Sequence, residues 1–243
     1  MFPLKDNIPA KNFPYVNIGL ILINSAFFIY EMSYGPALDQ LIFTLGFIPA
    51  RFIAQQGETL LNPAGFLPVF SSMFLHANLV HLISNMWMLW IFGDNVEDCM
   101  GHGRYLLFFL LCGIASVFAQ TISNPQSAIP MIGASGAISG VLGAYIITYP
   151  RARILTLVPI VILFYIIELP AYFFLGFWFL IQLIQGSLYS LNSQQMAGGG
   201  VAWWAHVGGF AAGVILLQVF RCKDWQRPVV PSERRIRRLQ RRK

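Results

Sequence analysis

Repeated apolar runs, each close to the length that crosses a membrane, dominate this 243-residue chain. A helix needs about 20 consecutive apolar residues to cross a hydrocarbon core ~30 Å thick. Six runs are predicted to be spanning helices, although the fourth is short; they lie at about 15–34, 78–92, 105–122, 135–149, 170–185 and 201–220. No long polar block separates them, so the pattern predicts an all-α polytopic protein with one membrane domain over residues 1–220.

Two further apolar stretches are not predicted to cross. About 40 residues after the first run are broken by prolines and glycines and carry the charges of Asp39, Arg51 and Glu58, so we expect them to lie in the membrane interface. The second stretch, Ile154 to Ile167, contains Pro159 and has only 14 residues, the length of a buried or re-entrant piece. The predicted number of spans is therefore six.

The composition supports a membrane protein, and the positive charges predict its orientation. Only 11% of the residues are charged, whereas soluble domains have about 25%. With six spans both termini lie on one side, which then holds every Lys and Arg except Arg51. Those before the tail are Lys5, Lys11, Arg104, Arg151 and Arg153. Since positive charge favours the cytosolic side, we predict N-in/C-in topology and a basic cytosolic tail over residues 221–243.

A seventh span over residues 154–167 would move the basic tail outside. It would also place His206 in the opposite leaflet from Ser135, and the charge rule disfavours this arrangement.

Candidate chemistry lies in two segments rich in small residues. Ser135, within Gly133-Ala134-Ser135-Gly136, begins the fourth run, and His206 lies near the start of the sixth. Counting back from Arg151 and Arg221 at 1.5 Å per residue places the two side chains about 24 and 22 Å from the charged ends, in one layer. A neutral imidazole is the usual base for a serine nucleophile. Neither run contains an acid that could complete a triad, so the sequence predicts a Ser-His dyad.

The second run adds hydrogen-bond donors at a similar depth. His81 and Asn85 are four residues apart and therefore share a helix face. Together with the free backbone N–H groups at the start of the fourth helix, they could stabilise an oxyanion near Ser135. His76, five residues before His81, lies off that face and is interpreted as an interfacial or loop-ordering residue. Its position weakens a zinc interpretation.

Small residues at helical spacing predict close packing of the fourth and sixth helices. Ser135, Ser139 and Gly143 form one stripe, and a glycine pair one turn beyond His206 forms the other. The predicted helix-packing positions are Gly136, Gly140, Gly209 and Gly213.

These motifs are similar to those of the rhomboid family of intramembrane serine proteases, over most of the chain from about Asn78 to Gly213. The family pattern Gly-x-Ser-Gly matches Gly133 to Gly136. The pattern His-x-x-Gly-x-x-x-Gly matches His206, Gly209 and Gly213. The pattern His-x-x-x-x-His-x-x-x-Asn matches His76, His81 and Asn85. The resemblance implies a six-helix rhomboid-like bundle. It also implies a dyad of Ser135 and His206, with His81, Asn85 and the Ser135 backbone N–H as oxyanion hole.

Two positions depart from the family pattern. Many members have a Trp-Arg pair in the first loop, where this chain offers Ala50-Arg51. Members often carry an aromatic residue beside the catalytic histidine, four residues after the serine, where this chain has Ser139. Neither departure touches the dyad.

The predicted function is that of a serine endopeptidase that cleaves single-span membrane proteins within or near the outer part of the membrane. Its expected partners are transmembrane-helix substrates and membrane lipid. No cofactor, metal ion or nucleic acid is expected, and the expected location is the bacterial cytoplasmic (inner) membrane.

Other interpretations remain open at the level of sequence. Ser135 alone could be a packing residue, whereas an ionisable residue such as His206 inside a membrane is functional by default. A catalytically silent rhomboid relative that binds membrane clients is the main alternative, although retention of both Ser135 and His206 argues against it. A six-span transporter would need intramembrane carboxylates or inverted repeats, and the sequence offers neither.

Overall fold

The computed structural model describes residues 1–55, 63–191 and 200–220. Its helices are α1 (Tyr15–Met32), α2 (Leu38–Leu45), α3 (Pro49–Ala54), α4 (Leu67–Ser71), α5 (Leu79–Met100), α6 (His102–Ser123), α7 (Ser135–Thr148), α8 (Ala171–Leu191) and α9 (Trp203–Phe220). Its strands are β1 (Phe2–Lys5), β2 (Arg153–Ile160) and β3 (Leu163–Pro170). The predicted basic tail, residues 221–243, lies outside the described residues.

The long helices identify an integral, multi-pass membrane protein. Within the described residues, four helices are long and apolar enough to cross a membrane: α1, α6, α8 and α9. Helix α5 provides a fifth candidate when it is combined with the helical piece Leu67–Phe74, from which it is bent by 90°. Helix α7 is also apolar but has only 14 residues. The predicted interfacial stretch contains the short helices α2, α3 and α4, and its Glu58 lies outside the described residues.

Helix α5 continues eight residues past the predicted end of the second run, to Met100. The mostly polar residues 93–98, which follow the predicted run, are helical and bind the N-terminal segment. The Glu97 carboxylate is buried and accepts the backbone N–H groups of Val16 (3.0 Å) and Asn17 (2.7 Å). It thereby satisfies free donors at the start of α1. This polar cluster forms a contact between α5 and α1.

Helix α8 also exceeds its predicted end at residue 185, since it continues to Leu191. Gly186 lets this last part pack closely on α9, because a side chain there would meet Trp203 and Trp204 at 3.3 Å. The Trp204 indole then donates a hydrogen bond to the Ser190 hydroxyl at 3.0 Å.

The prediction of a wholly α-helical chain is wrong in one region. Residues Ile154 to Ile167, interpreted as a buried or re-entrant piece, form most of the antiparallel β2–β3 hairpin, and β1 adds a third strand beside β2. Pro159 is incompatible with a continuous helix, and the many β-branched residues favour a strand. Ile154 and Thr156 at the base of the hairpin are buried, whereas its outer half is exposed.

Helix α7 occupies the centre of the bundle and is buried along nearly its whole length by α5, α6, α8 and α9. Its contact with α9 is a contact between backbones. A Cβ added at Gly209 would lie 2.0 Å from the Gly136 carbonyl oxygen, and one added at Gly213 would lie 2.0 Å from that of Gly140. These four glycines therefore set the distance between the helices that carry Ser135 and His206.

Candidate active site

Ser135 is the first residue of the central helix α7, and a glycine shapes the backbone before it. Gly133 has a φ of +119° and donates its N–H to the Ser72 carbonyl at 2.8 Å. A Cβ at Gly133 would lie only 2.7 Å from the His81 ring. Glycine is therefore needed both for the backbone conformation and for the approach of His81. The free N–H groups and positive dipole of the α7 N-terminus lie at Ser135, where they favour negative charge.

Ser135 and His206 are in hydrogen-bond contact. The Ser135 hydroxyl lies 2.8 Å from Nε2 of His206, which is in the first turn of α9. Counting from the charged helix ends predicts that these side chains lie in one layer, and the structure brings them together. An imidazole nitrogen at this distance can accept the proton of the hydroxyl.

A glutamine that belongs to none of the sequence motifs contacts the other ring nitrogen of this imidazole. Nδ1 of His206 lies 2.8 Å from Oε1 of the buried Gln182 on α8. The amide Nε2 of Gln182 donates to the Trp178 carbonyl at 3.2 Å, which fixes the direction of the amide. Because an amide oxygen only accepts, it selects the tautomer with the proton on Nδ1 and leaves Nε2 free to accept from Ser135.

Two tryptophans pack near the His206 ring. Trp178 of α8 lies with its ring centroid 6.0 Å away, and Trp203 of α9 lies edge-on at 6.3 Å. Ser139, at the position where related proteins often carry an aromatic residue, instead turns its hydroxyl to the Ser135 carbonyl at 2.7 Å. The aromatic surroundings of the imidazole thus come from α8 and α9 rather than from α7.

His81 and Asn85 face the turn before Ser135, as their four-residue spacing on α5 predicts. A Cβ at Gly133 would be 2.8 Å from His81 Nε2 and 3.5 Å from Asn85 Nδ2. His76 is fully buried behind them, with its Nε2 3.0 Å from Asn85 Nδ2 and its ring 5.1 Å from that of His81. It therefore positions Asn85, a more specific role than the ordering of a loop.

The first loop is ordered by Arg51 without a neighbouring tryptophan. Its guanidinium donates to the carbonyls of Phe43 (2.7 Å) and Gly46 (2.9 Å) and lies over the Phe43 ring. Next to it, Phe47 and Met131 exchange backbone hydrogen bonds, which tie the loop to the segment leading into Ser135.

Gln182 could have been suspected from sequence, because an amide in an apolar helix needs a hydrogen-bond partner. Its partner could not, since it lies 24 residues away on another helix. In the described parts of the chain, no three His, Cys, Asp or Glu side chains are grouped to hold a metal ion.

Comparison with known proteins adds an independent finding. A family model, the Rhomboid domain, matches residues 63–222. The chain is 36% identical over 134 residues to the rhomboid protease GluP of Bacillus subtilis. The matched region covers 54% of this chain and 24% of that protein. It is 29% identical over 133 residues to the mitochondrial presenilin-associated rhomboid-like protein A of Danio rerio, covering 51% of this chain and 34% of that protein.

A longer match joins the chain to the mitochondrial rhomboid protein 1 of Saccharomyces cerevisiae, with 25% identity over 178 residues. This match covers 72% of the chain and 45% of the yeast protein. The chain therefore spans less than half the length of each of these relatives.

Proposed function

The chain belongs to the rhomboid family, and from this premise we propose that it is an intramembrane serine endopeptidase that cleaves single-span membrane proteins in the outer part of the membrane. The observation that carries the proposal is the 2.8 Å contact between Ser135 Oγ and His206 Nε2. A serine hydroxyl is a weak nucleophile until a base removes its proton, and this contact supplies the base.

In the proposed reaction Ser135 Oγ attacks the carbonyl carbon of the scissile peptide while His206 Nε2 takes the hydroxyl proton. The resulting imidazolium is stabilised by the Gln182 carbonyl oxygen, which accepts its Nδ1–H. His206 then gives the proton to the leaving amine, so that the C–N bond breaks and an ester on Ser135 remains. Water, deprotonated by the same nitrogen, hydrolyses the ester and restores the hydroxyl.

The experiment that tests the activity incubates purified protein with a panel of single-span membrane proteins. Wild type should cleave at least one of them, and Ser135→Ala should cleave none. The alternative function, a silent relative that binds membrane clients, would instead appear as stable association of both proteins with the same substrate and no cleavage.

The oxyanion of the tetrahedral intermediate is proposed to lie between the Ser135 backbone N–H and the side chains of His81 and Asn85. Support comes from the α7 N-terminus, whose donors are free, and from the approach of both side chains to Gly133. Such donors act where negative charge develops, so they lower the barrier more than they strengthen substrate binding.

Asn85→Ala should lower kcat by about 100-fold with little change in KM, as expected for loss of one oxyanion donor. Ser84→Ala is the matched control, because Ser84 is exposed and its hydroxyl donates to the Val80 carbonyl of its own helix. Equal kcat in wild type and Asn85→Ala, at equal amounts of folded protein, would remove Asn85 from the oxyanion hole.

Gln182 is proposed as a positioning residue that acts through His206. Gln182→Met keeps the size of the side chain but loses the acceptor for Nδ1–H, so kcat should fall by about tenfold, the order expected for one hydrogen bond. Gln182→Glu retains an acceptor and should restore most of the loss, which a role in packing alone would not explain. Gln185→Met, at an exposed position of the same helix, should leave kcat unchanged.

We also propose six crossings with both termini inside, which counts α5 and α7 as spans. Helices α1 and α5 are antiparallel, since Glu97 near the end of α5 binds the start of α1 and Glu31 near the end of α1 binds the His76 N–H. Helices α7 and α9 run the same way, since Gly136 lies against Gly209 and Gly140 lies against Gly213. An impermeant maleimide added outside intact cells should label a cysteine at Gln126 and spare one at Lys11; the reverse would overturn the orientation.

The location stays a prediction. The similar proteins include a bacterial one and several mitochondrial ones, and the charge distribution bears on the orientation alone, so the bacterial inner membrane is a proposal.

A further inference from the structure

The outer half of the β2–β3 hairpin is an apolar surface that no other described part of the chain covers. Every residue from Ile160 to Ile167 is at least 41% exposed. No charged residue occurs between Ile154 and Ile167, whereas Arg153 and Glu168 form an ion pair of 2.9 Å at the base of the hairpin. In water, such a surface on an open-edged sheet would promote aggregation.

The turn of the hairpin consists of residues that are unusual in a turn exposed to water. Ile160 pairs with Leu163, so the loop consists of Val161 and Ile162, and Val161 has a φ of +55°. Two-residue hairpin loops in water favour Asn, Asp or Gly at positive φ, because β-branched residues are strained there. Val161 is nevertheless 94% exposed. An apolar turn at this point suits hydrocarbon, in which a polar side chain would lose its hydration.

The N-terminal segment shows the direction in which the sheet extends. The Asp98 carboxylate near the end of α5 accepts the Lys11 N–H at 2.8 Å, and the Trp87 indole donates to the Pro3 carbonyl at 2.6 Å. Eleven residues separate Asp98 from Trp87, about 16 Å along the helix. The segment from Lys11 back to Pro3 therefore runs along α5, away from the charged end of the bundle and towards its apolar middle.

Strand β2 extends further in that direction. It is antiparallel to β1 with Phe2 opposite Leu157, so the turn at 161–162 lies beyond the first residues of the chain. Strand β3 leads without a linker into the membrane helix α8, whose first turn exposes Tyr172 and Phe173. The apolar surface of the hairpin is thus continuous with the lipid-facing surface of α8.

We propose that the β2–β3 hairpin inserts its apolar tip into the acyl chains of the membrane leaflet on the N-terminal side, beside α5 and α8. The edge of β3, which pairs with no other described strand, limits the depth, because unpaired backbone groups need water and are not tolerated in the hydrocarbon centre. This inference does not depend on the protease activity.

The test measures lipid contact in the full-length chain. Ile162, 82% exposed, is replaced by cysteine in a Cys222→Ser background and labelled with the environment-sensitive dye NBD; the buried Cys99 and Cys112 are left in place. The protein is placed in nanodiscs that hold one copy each, made of phosphatidylcholine and phosphatidylglycerol. The NBD emission should shift to shorter wavelength, and a nitroxide on the lipid acyl chain should remove most of it, whereas aqueous iodide should have little effect.

A matched probe at the exposed Lys11, on the same side of the protein, should show the opposite behaviour: long-wavelength emission and quenching by iodide. If the Ile162 probe behaves like the Lys11 probe, the hairpin lies in water and the proposal is overturned. Shielding of Ile162 only in discs that hold two copies, or only after substrate is added, would also overturn it, because protein and not lipid would then cover the tip.

Discussion

His206→Ala should lower proteolytic turnover by about 10⁴-fold, the upper end of what general base catalysis contributes. The imidazole has two tasks in the proposed reaction, since it deprotonates Ser135 and then protonates the leaving amine. The 2.8 Å contact with Ser135 Oγ leaves no room for a second base between the two groups. Steady-state cleavage of a single-span substrate in detergent or proteoliposomes measures the effect.

The matched control is His102→Ala. His102 begins α6 and is hydrogen-bonded to Glu97. It lies outside the candidate site. This variant should cleave at close to the wild-type rate. Turnover of His206→Ala within tenfold of wild type would mean that another group removes the Ser135 proton.

Gly209→Leu should reduce turnover by more than about 1000-fold, although Gly209 carries no chemistry. Even a single added carbon would lie 2.0 Å from the Gly136 carbonyl oxygen, a backbone atom that cannot rotate away. Helices α7 and α9 must therefore separate by more than an ångström. Since a 1 Å error in the position of catalytic groups can cost about 100-fold, the larger displacement by leucine should cost correspondingly more.

Gly176→Leu provides the control for a bulky residue in a membrane helix. Gly176 lies within α8, and a Cβ there would meet no atom within 4 Å from the other described parts of the chain, apart from its own helix backbone. Its turnover should match that of wild type. Both variants are compared as monodisperse, helical protein; normal turnover of Gly209→Leu in that state would show that the α7–α9 distance does not control the dyad.

Much of the site could be predicted from sequence because membrane helices have a known rise and end at charged residues. Counting along two helices was sufficient to place Ser135 and His206 in one layer, and helical periodicity was sufficient to place His81 and Asn85 on one face. The small residues at Gly136 and Gly209 also lie where their spacing predicts, at the contact of α7 with α9.

The residues around His206 that the sequence does not predict depend on contacts between distant segments. Gln182 selects the His206 tautomer across 24 residues, and Trp178 lies against the same ring from another helix. Periodicity within one run contains no information about such partners.

The hairpin and the extension of α5 were missed for a related reason. Residues 154–167 are apolar enough for a buried helix or a strand. Strand β1, near the N-terminus, pairs with β2 and completes the sheet. Glu97 lies beyond the apolar run because it is charged, but it continues the helix, since its carboxylate accepts backbone N–H groups from the start of α1. In both regions tertiary contacts decided between local alternatives of similar stability.

In the proposed reaction His206 activates Ser135 as the nucleophile, and covalent labelling tests this step most directly. Wild-type protein and the variants Ser135→Ala and His206→Ala are treated with a fluorophosphonate, and the adduct is located by mass spectrometry of peptides. We predict one adduct on Ser135 in the wild type and none on either variant. An adduct at a different residue in the wild type, or equal labelling of Ser135 in wild type and His206→Ala, would contradict the claim.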